Sequence, residues 1–280
     1  MYRGKYPDRL EQYFSLLSEL RENYDKTIVL KGNILLNKIL PEFARSTKDM
    51  DLDILATEEE YKTYILPVLT THVDRLVDSG KADFYTVREI KHGSICGIKV
   101  YKYDEVEQPS LTFSVDINLI SETVGLTLYR TYDYDFYGSS LERILSDKMS
   151  AVLSSKRYRR MKDFYDIYIL LNSDMEVDLN EFMYLFQRQN QEATLGLINT
   201  VPFDEMEIDK LYQAWNKLRL GSFSGEEMVK PKFQDVIKTL YRFTDSVYAE
   251  IKTLESVLNN EEDWISEGVE ETSEEIADVH

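Results

Sequence analysis

The sequence predicts an α/β unit followed by a helical domain, and two observations indicate this fold class. Helix-like and strand-like segments alternate as far as residue 140, whereas the apolar pattern from Leu141 to about Asn259 is helical. Two of the strand-like segments alternate apolar and polar residues, as expected of a sheet with one buried face. The predicted units are residues 1–140 for the α/β unit, 141–259 for the helical domain and 260–280 for an acidic tail without regular structure.

Local patterns set the order of the elements. The first helix begins behind Pro7, and the second ends before Pro41, because a proline disfavours helical backbone at the preceding residue. The predicted helices before residue 140 are residues 8–24, 33–40 and 58–77, the last interrupted near Pro67. The predicted strands are residues 27–31, 49–55, 84–89, 94–103 and 111–120. In the helical domain, breaks are expected at residues 172–174, near Pro202 and at residues 221–225.

Composition limits the classes of protein that the chain can represent. Its 280 residues are 43% hydrophobic and 12% aromatic, which is enough for a folded core. The single cysteine, Cys96, excludes a disulfide framework and is typical of the reducing cytoplasm. No apolar run approaches the roughly 18 residues of a membrane span, and residues 1–10 contain no signal-peptide apolar segment. We therefore expect a cytoplasmic protein that does not contact the membrane.

The net charge of −18 disfavours nonspecific binding of nucleic acid, but the charge is unevenly distributed. From Glu261 to His280 there are nine acidic residues and no lysine or arginine, which is typical of an exposed acidic tail. Without that segment, 42 acidic residues face 33 basic ones. A local cluster could still hold a polyphosphate; it consists of Lys156, Arg157, Arg159, Arg160 and Lys162.

Asp49, Asp51 and Asp53 alternate with apolar residues in the segment DMDLDIL, which follows a glycine turn. In a strand their carboxylates project from one face, and neighbouring ones are roughly 6.5–7 Å apart. Like charges this close disfavour ionisation unless a cation lies between them, and Mg²⁺ or Mn²⁺ prefers oxygen ligands. We expect Asp49 and Asp51 to bind such an ion, and Asp53 to lie too far along the strand. The alternative is a solvated strand face.

Asp116 interrupts the otherwise strongly apolar strand LTFSVDINLI. An acidic residue there costs free energy on burial unless it has a partner. If this strand pairs with DMDLDIL, Asp116 supplies a third carboxylate, which can bind metal or take a proton from an attacking hydroxyl. The alternative is that Asp116 faces solvent on a one-sided sheet.

Lys148 and Asp163 lie on two predicted helices in the stretch SDKMSAVLSSKRYRRMKDFYDIYIL. Lys148 borders an apolar stripe, and its compact, flexible charge suits a triphosphate. Asp163 and Asp166 are nearly one turn apart on the second helix. The alternative for them is simple ion pairing, since Lys162 and Asp166 have i, i+4 spacing.

Five motifs follow one another along the chain: LKGNILL, RSTKDMDL, SVDINLI, SDKMSA and RRMKDFYDIY. Together they resemble the AbiEii-type nucleotidyltransferases, bacterial toxin and abortive-infection proteins with a DNA polymerase β-like fold. The resemblance covers residues 28–171. It implies a polymerase β-like mixed sheet with flanking helices, and an active site completed by the helical domain. One departure is the turn Gly32-Asn33, which usually reads Gly-Gly or Gly-Ser in the family.

The resemblance and the residue chemistry imply transfer of a nucleoside monophosphate from an NTP, with release of pyrophosphate. The backbone N–H groups of Gly32 and Asn33, at a helix N-terminus, would bind the phosphates. Ser46 or Thr47 would add a hydroxyl donor, and Lys148 would hold the triphosphate. Asp49 and Asp51 would bind Mg²⁺, joined by Asp116.

The base that receives the acceptor proton is either Asp116 or Asp163. The family favours Asp163, and the strand geometry favours Asp116. Relatives are associated with adding nucleotides to tRNA 3′ ends or with modifying other targets, which stops growth or protects against phage. The candidate partners are therefore an RNA acceptor such as tRNA, a protein acceptor and a cognate antitoxin. For the acidic tail three interpretations stay open: simple disorder, mimicry of nucleic acid and contact with the antitoxin.

Two other functions compete with this interpretation. A metal-dependent nuclease of the restriction type needs an E-x-K string on a strand, which Glu89 and Lys91 supply. That alternative leaves the glycine turn and the Lys148 helix unexplained. The second alternative is an inactive nucleotide-binding module that keeps the fold without turnover.

Overall fold

The computed structural model describes residues 8–41, 45–91, 95–130, 135–190, 201–221 and 228–274. The helices are α1 (Asp8–Asn23), α2 (Gly32–Ile39), α3 (Glu58–Glu60), α4 (Leu66–Asp78), α5 (Leu141–Leu153), α6 (Met161–Leu171), α7 (Leu179–Asn190), α8 (Glu205–Lys217) and α9 (Phe233–Glu274). A π-helical turn (Tyr61–Ile65) joins α3 to α4, and a 3₁₀ turn (Arg157–Arg159) precedes α6. The strands are β1 (Ile28–Lys31), β2 (Asp49–Leu55), β3 (Phe84–Lys91), β4 (Ile95–Tyr103), β5 (Pro109–Ile120), β6 (Leu126–Arg130) and β7 (Asp135–Ser139).

The strands form one mixed sheet in the order β3-β4-β5-β2-β1-β7-β6. β2 lies at the centre of the sheet, parallel to β5 on one side and antiparallel to β1 on the other. The register of β2 and β5 places Asp51 directly beside Asp116. This mixed sheet with flanking helices confirms the predicted fold class.

The two faces of the sheet differ because the strands alternate. Met50, Leu52 and Ile54 of β2 are fully buried on one face, where the same apolar cluster includes Leu17 of α1 and Val73 of α4. The opposite face of β2 carries the aspartates. Burial of the apolar face fixes the register, since a shift by one residue would move every aspartate into the core.

A second apolar cluster lies among the helices that follow the sheet. Its centre is formed by aromatic residues such as Phe164, Phe182 and Trp215, all nearly fully buried. The helical pattern predicted from residue 141 onward is confirmed, including the break after α6 and the one before α8. The boundaries between the predicted units stay a prediction.

Three features differ from the sequence-based expectations. β6 and β7 were not predicted, because both are short and β7 contains Gly138, a residue that is uncommon in strands. The region near Pro67 is a π-helical turn that runs into α4, with Pro67 in the first turn, where proline is tolerated. The sequence analysis predicted that the acidic tail has no regular structure from residue 260. The backbone of α9 instead stays helical through Glu274.

Two other predictions fall largely outside the described residues. The end of the acidic tail, residues 275–280, lies beyond them, and so does most of the predicted break at residues 221–225. Within the described ranges, no helix combines the length and apolar character that a membrane crossing requires.

Candidate active site

A cavity of about 380 Å³ lies where the polar face of β2 and β5 meets α5 and the start of α6. It is lined by Lys31, Gly32, Asn33, Arg45, Thr47, Asp49, Asp51, Asp116, Ile144, Asp147, Lys148, Arg159, Arg160, Lys162 and Asp163. The structure therefore brings together all the predicted site residues except Ser46. The sequence analysis did not single out Lys31, Arg45 or Asp147.

Three carboxylates from two adjacent strands face this cavity. Asp51 lies beside Asp116 in the parallel register, and Asp49 lies beside Ser114. The Ser114 hydroxyl donates to Asp49 Oδ1 over 2.6 Å, and Arg88 lies 2.9 Å from Asp116 Oδ1. Asp49 and Asp116 are thus each held by a neighbour.

Asp51 is the most perturbed of these carboxylates. Burial raises its pKa to about 6, and the charges of Asp116 and Asp49 act in the same direction, whereas Lys31 and Lys148 oppose it. The ionised form of Asp51 is therefore costly in its buried position, beside two other carboxylates. No three His, Cys, Asp or Glu side chains of the described residues form a ready-made metal site.

The turn between β1 and α2 fits tightly against Asp51. Gly32 has φ +68, in the left-handed region that favours glycine. A Cβ atom there would lie 2.2 Å from Asp51 Oδ2. The absence of a side chain thus allows the start of α2 to approach the carboxylate. Lys31, at the N-cap, provides no side-chain cap, so the first N–H groups of α2 are not satisfied by that residue.

We expect Gly32→Ala to destabilise the fold more than Gly80→Ala does. Both glycines have φ +68, so an alanine at either costs about 1–2 kcal/mol of backbone strain. A Cβ at Gly80 meets nothing within 4 Å, whereas the one at Gly32 clashes with Asp51. Urea unfolding of both variants measures the difference. Equal losses would show that the contact with Asp51 is unimportant.

The polar side chains around this turn differ in whether they face the cavity. Asn33 is buried, and its Nδ2 donates to the carbonyl of Arg45, so its amide supports a loop and is not directed at a ligand. Its neighbour Asn37 donates to the same carbonyl over 3.1 Å. Thr47 lines the cavity, but Ser46 does not, and the backbone N–H of Ser46 donates to Gly221. Of the two hydroxyl candidates, Thr47 therefore has the better position.

Lys148 is buried and contacts two carboxylates of α6. Its Nζ donates to Asp166 Oδ2 over 2.7 Å and lies 3.4 Å from Asp163 Oδ1. Arg45 donates to both oxygens of Asp166, over 3.2 and 3.0 Å. The suggested pairing of Lys162 with Asp166 is therefore wrong, because Asp166 points inward. Burial would raise the pKa of Asp166, but Lys148 and Arg45 hold it below its usual value.

The basic cluster at residues 156–162 is split by the fold. Arg159, Arg160 and Lys162 are exposed and line the cavity, and Arg160 lies 2.7 Å from Asp163. Arg157 is buried instead. The prediction that it belongs to a phosphate-binding cluster is therefore wrong. It lies 3.0 Å from Glu207 and 4.9 Å from the centre of the Phe203 ring.

Arg157→Ala should lower the free energy of unfolding by about 2–4 kcal/mol, because it removes a buried guanidinium that donates to the carbonyls of Leu153 and Ser154 and pairs with the half-buried Glu207. Arg159→Ala is the matched control. It should change stability by less than about 0.5 kcal/mol, as is usual at the surface, and should instead weaken binding of NTP. Thermal unfolding and calorimetry separate the two effects. If Arg157→Ala is as stable as Arg159→Ala, the assignment is wrong.

Asp53 belongs to a separate set of ion pairs, although it shares a face with Asp49 and Asp51. It is buried, lies 2.5 Å from Lys31 and 3.7 Å from Arg143, and accepts from Asn118 over 3.2 Å. Arg143 also contacts Asp147, whose pKa is raised by burial. Of these groups, Lys31 and Asp147 line the cavity, whereas Asp53, Asn118 and Arg143 line a second cavity of about 390 Å³.

Comparison with known proteins gave one family. The model of "Nucleotidyl transferase AbiEii toxin, Type IV TA system" matches residues 15–239. No curated protein gave a significant match.

Two crystal structures from Helicobacter pylori are similar in fold. JHP933 is 12% identical with a TM-score of 0.50, and the match covers 92% of this chain and 100% of that one. A protein provisionally assigned as a nucleotidyltransferase is 14% identical with a TM-score of 0.52, over 89% and 99% of the two chains.

Proposed function

Because the chain belongs to the AbiEii family of nucleotidyltransferases, we propose that it transfers a nucleoside monophosphate from an NTP to an acceptor hydroxyl within this cavity. The observation that carries the proposal is the meeting of opposite charges. Asp49, Asp51 and Asp116 line one side of the cavity, and the cations of α5 and α6 line the other.

The three carboxylates fit a divalent metal ion by their chemistry. All are hard oxygen donors, and Mg²⁺ or Mn²⁺ prefers such ligands. Burial and the two neighbouring carboxylates raise the pKa of Asp51, and a cation bound beside it would favour its ionised form. Asp49 and Asp51 would hold the ion, with Asp116 as a third ligand once Arg88 releases it. A bound ion would neutralise charge on the phosphates and on the departing pyrophosphate.

The triphosphate would bind at the start of α2 and against the opposite wall. The N–H groups at the N-terminus of α2, which the N-cap side chain does not satisfy, favour an anion. Thr47 offers a hydroxyl, and the exposed Arg159 and Lys162 offer charges without any ion-pair partner within the described residues. Lys148 is already engaged by Asp163 and Asp166, so it would contact phosphate only by sharing its three N–H donors.

The acceptor oxygen would attack the α-phosphorus, forming one P–O bond as the bond to pyrophosphate breaks. Its proton would pass to Asp116 or Asp163. We favour Asp116, because the Asp163 oxygens face two cations, Lys148 and Arg160. Asp116 has one such neighbour, Arg88, and a side chain that is 33% exposed.

Family membership supports two further expectations about partners. The family is that of type IV toxins, so a cognate antitoxin is an expected partner, and arrest of growth or defence against phage is the expected role. RNA, including the 3′ end of tRNA, is the acceptor that we propose, with a protein hydroxyl as the alternative.

Incubation with each α-labelled NTP, Mg²⁺ and total RNA or cell extract tests the proposal. We expect label on an acceptor, loss of that label when the metal is chelated, and release of pyrophosphate. Shortening of the RNA would instead indicate a nuclease, although Glu89 is exposed and does not line the cavity. Binding of NTP without either product would indicate an inactive module.

A further inference from the structure

The second cavity, of about 390 Å³, lies on the same face of the sheet as the proposed metal ligands. Five adjacent strands contribute to it, through Asn118 of β5, Asp53 of β2, Val29 of β1, Ser139 of β7 and Leu126 of β6. The helices α5 and α7 complete it with Arg143, Leu185, Arg188 and Gln189. None of the described residues lines both this cavity and the active-site cavity, so the two are separate.

Ser139 is a buried polar residue that lines the second cavity. It is only 2% exposed, and its hydroxyl makes no hydrogen bond within the part of the chain that the structure describes. A buried hydroxyl without a partner costs free energy, because it has given up its hydrogen bonds to water. A ligand in the cavity would supply that partner.

Arg143 has the donors that an anion requires. Its Nε lies 3.3 Å from Asp147, whereas Nη1 lies 3.5 Å from the carbonyl of Val124 and Nη2 lies 3.7 Å from Asp53. The last two distances are longer than those of good hydrogen bonds, so the outer nitrogens are held weakly. One phosphate or carboxylate could accept from both of them, in the paired geometry that guanidinium groups favour.

The charges around the second cavity limit the charge of its ligand. Arg143 and Arg188 are offset by Asp53 and Glu122, and Arg188 pairs directly with Glu122. The charged side chains of the lining therefore sum to zero. A triphosphate would be repelled by the two carboxylates, whereas a group with one or two negative charges could bind the two arginines.

The remaining lining suits a heterocyclic body. Val29 and Leu126 of the strands and Leu185 of α7 are apolar, and the volume is within the range of roughly 300–1,000 Å³ that is usual for small-molecule sites. Gln189 adds one polar group. Its Oε1 accepts from Ser146, and its amide nitrogen has no hydrogen-bond partner in the described ranges, so it could donate to a ring nitrogen or carbonyl.

We infer that this cavity is a binding site for a nucleoside monophosphate, separate from the site of nucleotide transfer. The phosphate would accept from Arg143 and from the Ser139 hydroxyl. The base would lie against the apolar side chains of Val29, Leu126 and Leu185.

Arg143 also connects this site to the active-site cavity. It contacts Asp147, which lines that cavity, and Asp53, which pairs with Lys31 of the same cavity. A phosphate that draws Arg143 away would leave Lys31 as the principal cation beside Asp53 and Asp147. Lys31 would then be less available to a triphosphate. A bound monophosphate should therefore raise the KM for NTP, an expectation that rests on the proposed function.

Calorimetric titration of the full chain with AMP, GMP, CMP and UMP, without metal or NTP, tests the site. We expect at least one of them to bind, one molecule per chain. Inorganic phosphate and the matching nucleoside should each bind much more weakly. Ser139→Ala and Arg143→Lys should each weaken binding by roughly tenfold, because each removes hydrogen bonds to a charged group. Ser139→Ala removes no hydrogen bond that its side chain makes to a described residue, so this variant should fold normally.

Three control variants locate the binding. Ser110→Ala and Arg75→Lys change exposed residues of β5 and α4 and should bind as the wild type does. Arg159→Ala changes the active-site cavity and should also bind normally. If Arg159→Ala weakens binding and Ser139→Ala and Arg143→Lys do not, the monophosphate occupies the active-site cavity and the inference is wrong. Failure of all four monophosphates to bind also overturns it.

Steady-state transfer assays test the connection between the two cavities. The monophosphate that binds should raise the KM for NTP by roughly fivefold, and the same concentration should have a smaller effect on Ser139→Ala. An equal effect on Ser139→Ala would show direct competition and would overturn the connection. If the chain binds the monophosphate but transfers no nucleotide, the proposed function fails and the site stands. Transfer without monophosphate binding gives the opposite conclusion.

Discussion

Replacing Asp51 with asparagine should reduce the rate of nucleotide transfer by several orders of magnitude. The same change should raise the free energy of unfolding of the metal-free protein. The loss of activity follows from removal of a proposed metal ligand at the centre of the site. The gain in stability follows from burial of the Asp51 carboxylate and, to a smaller extent, from the charges of Asp116 and Asp49, which would both matter less for a neutral amide side chain. Single-turnover assays and urea unfolding of the same samples measure both effects.

The gain in stability should depend on pH in a defined direction. The pKa of Asp51 is raised from 3.8 to about 6, so its ionisation disfavours the folded state. The stabilisation by Asp51→Asn should therefore be full above pH 6, on the order of 2 kcal/mol, and should vanish near pH 4. Millimolar Mg²⁺ should raise the unfolding temperature of the wild type and not that of the variant. A destabilised Asp51→Asn at pH 8 would contradict this explanation.

Asp53→Asn is the control, because it changes the next aspartate on the same face. The sequence suggested that its effect would be mild. The ion pairs of Asp53 with Lys31 and Arg143 change that expectation, because asparagine would leave two cations partly unpaired. We expect Asp53→Asn to lower stability at neutral pH and to reduce activity much less than Asp51→Asn does.

Asp166→Ala should cause the largest loss of stability, about 3–5 kcal/mol, and should also remove activity. Asp166 is buried and accepts from both Arg45 and Lys148, so its loss leaves two buried cations without their principal partner. Because its pKa is depressed, the contribution is present above about pH 4 and is lost as pH falls through the folded pKa. Guanidinium unfolding at pH 7 measures it.

Asp163→Ala is the matched comparison, because it removes the other carboxylate that contacts Lys148. Asp163 contacts Lys148 at 3.4 Å and the 48% exposed Arg160 at 2.7 Å, so less buried charge depends on it. We expect a smaller loss of stability, below about 2 kcal/mol. If the two variants are equally unstable, Asp166 has no special role in holding Arg45 and Lys148.

The sequence predicted the central part of the site well, for a physical reason. Strict alternation in DMDLDIL and in LTFSVDINLI determines which side chains share a face, and burial of the apolar faces then determines register. The patterns therefore placed Asp51 and Asp116 on the polar faces of their strands, but their meeting depends on the pairing of the two strands, which the sequence offered only as a condition. The turn at Gly32 could also be predicted, because its positive φ and the close approach of Asp51 both favour glycine.

Other residues could not be placed from local pattern. Arg157 and Arg159 are two positions apart in one basic run, yet one is buried and the other lines the cavity. The inward direction of the Arg157 side chain depends on Glu207 and Phe203, about fifty residues further along the chain. Asp166 was equally ambiguous, since its partner Arg45 comes from the other unit. The short strand β7 gained its identity from pairing with β1, not from its own sequence.

Arg45 links α2, the segment before β2 and α6, so these parts of the cavity should open together. Its carbonyl accepts from Asn33 and Asn37 of α2, and its guanidinium reaches Asp166 of α6. Separation of α6 from the sheet would therefore also release residues 45–48, which precede β2, and the start of α2. These segments should open as one cooperative unit, with similar amide hydrogen-exchange rates, although they are distant in sequence. Local opening of the helical unit would then be enough to stop nucleotide transfer, although the carboxylates of β2 and β5 stay in place on their strands.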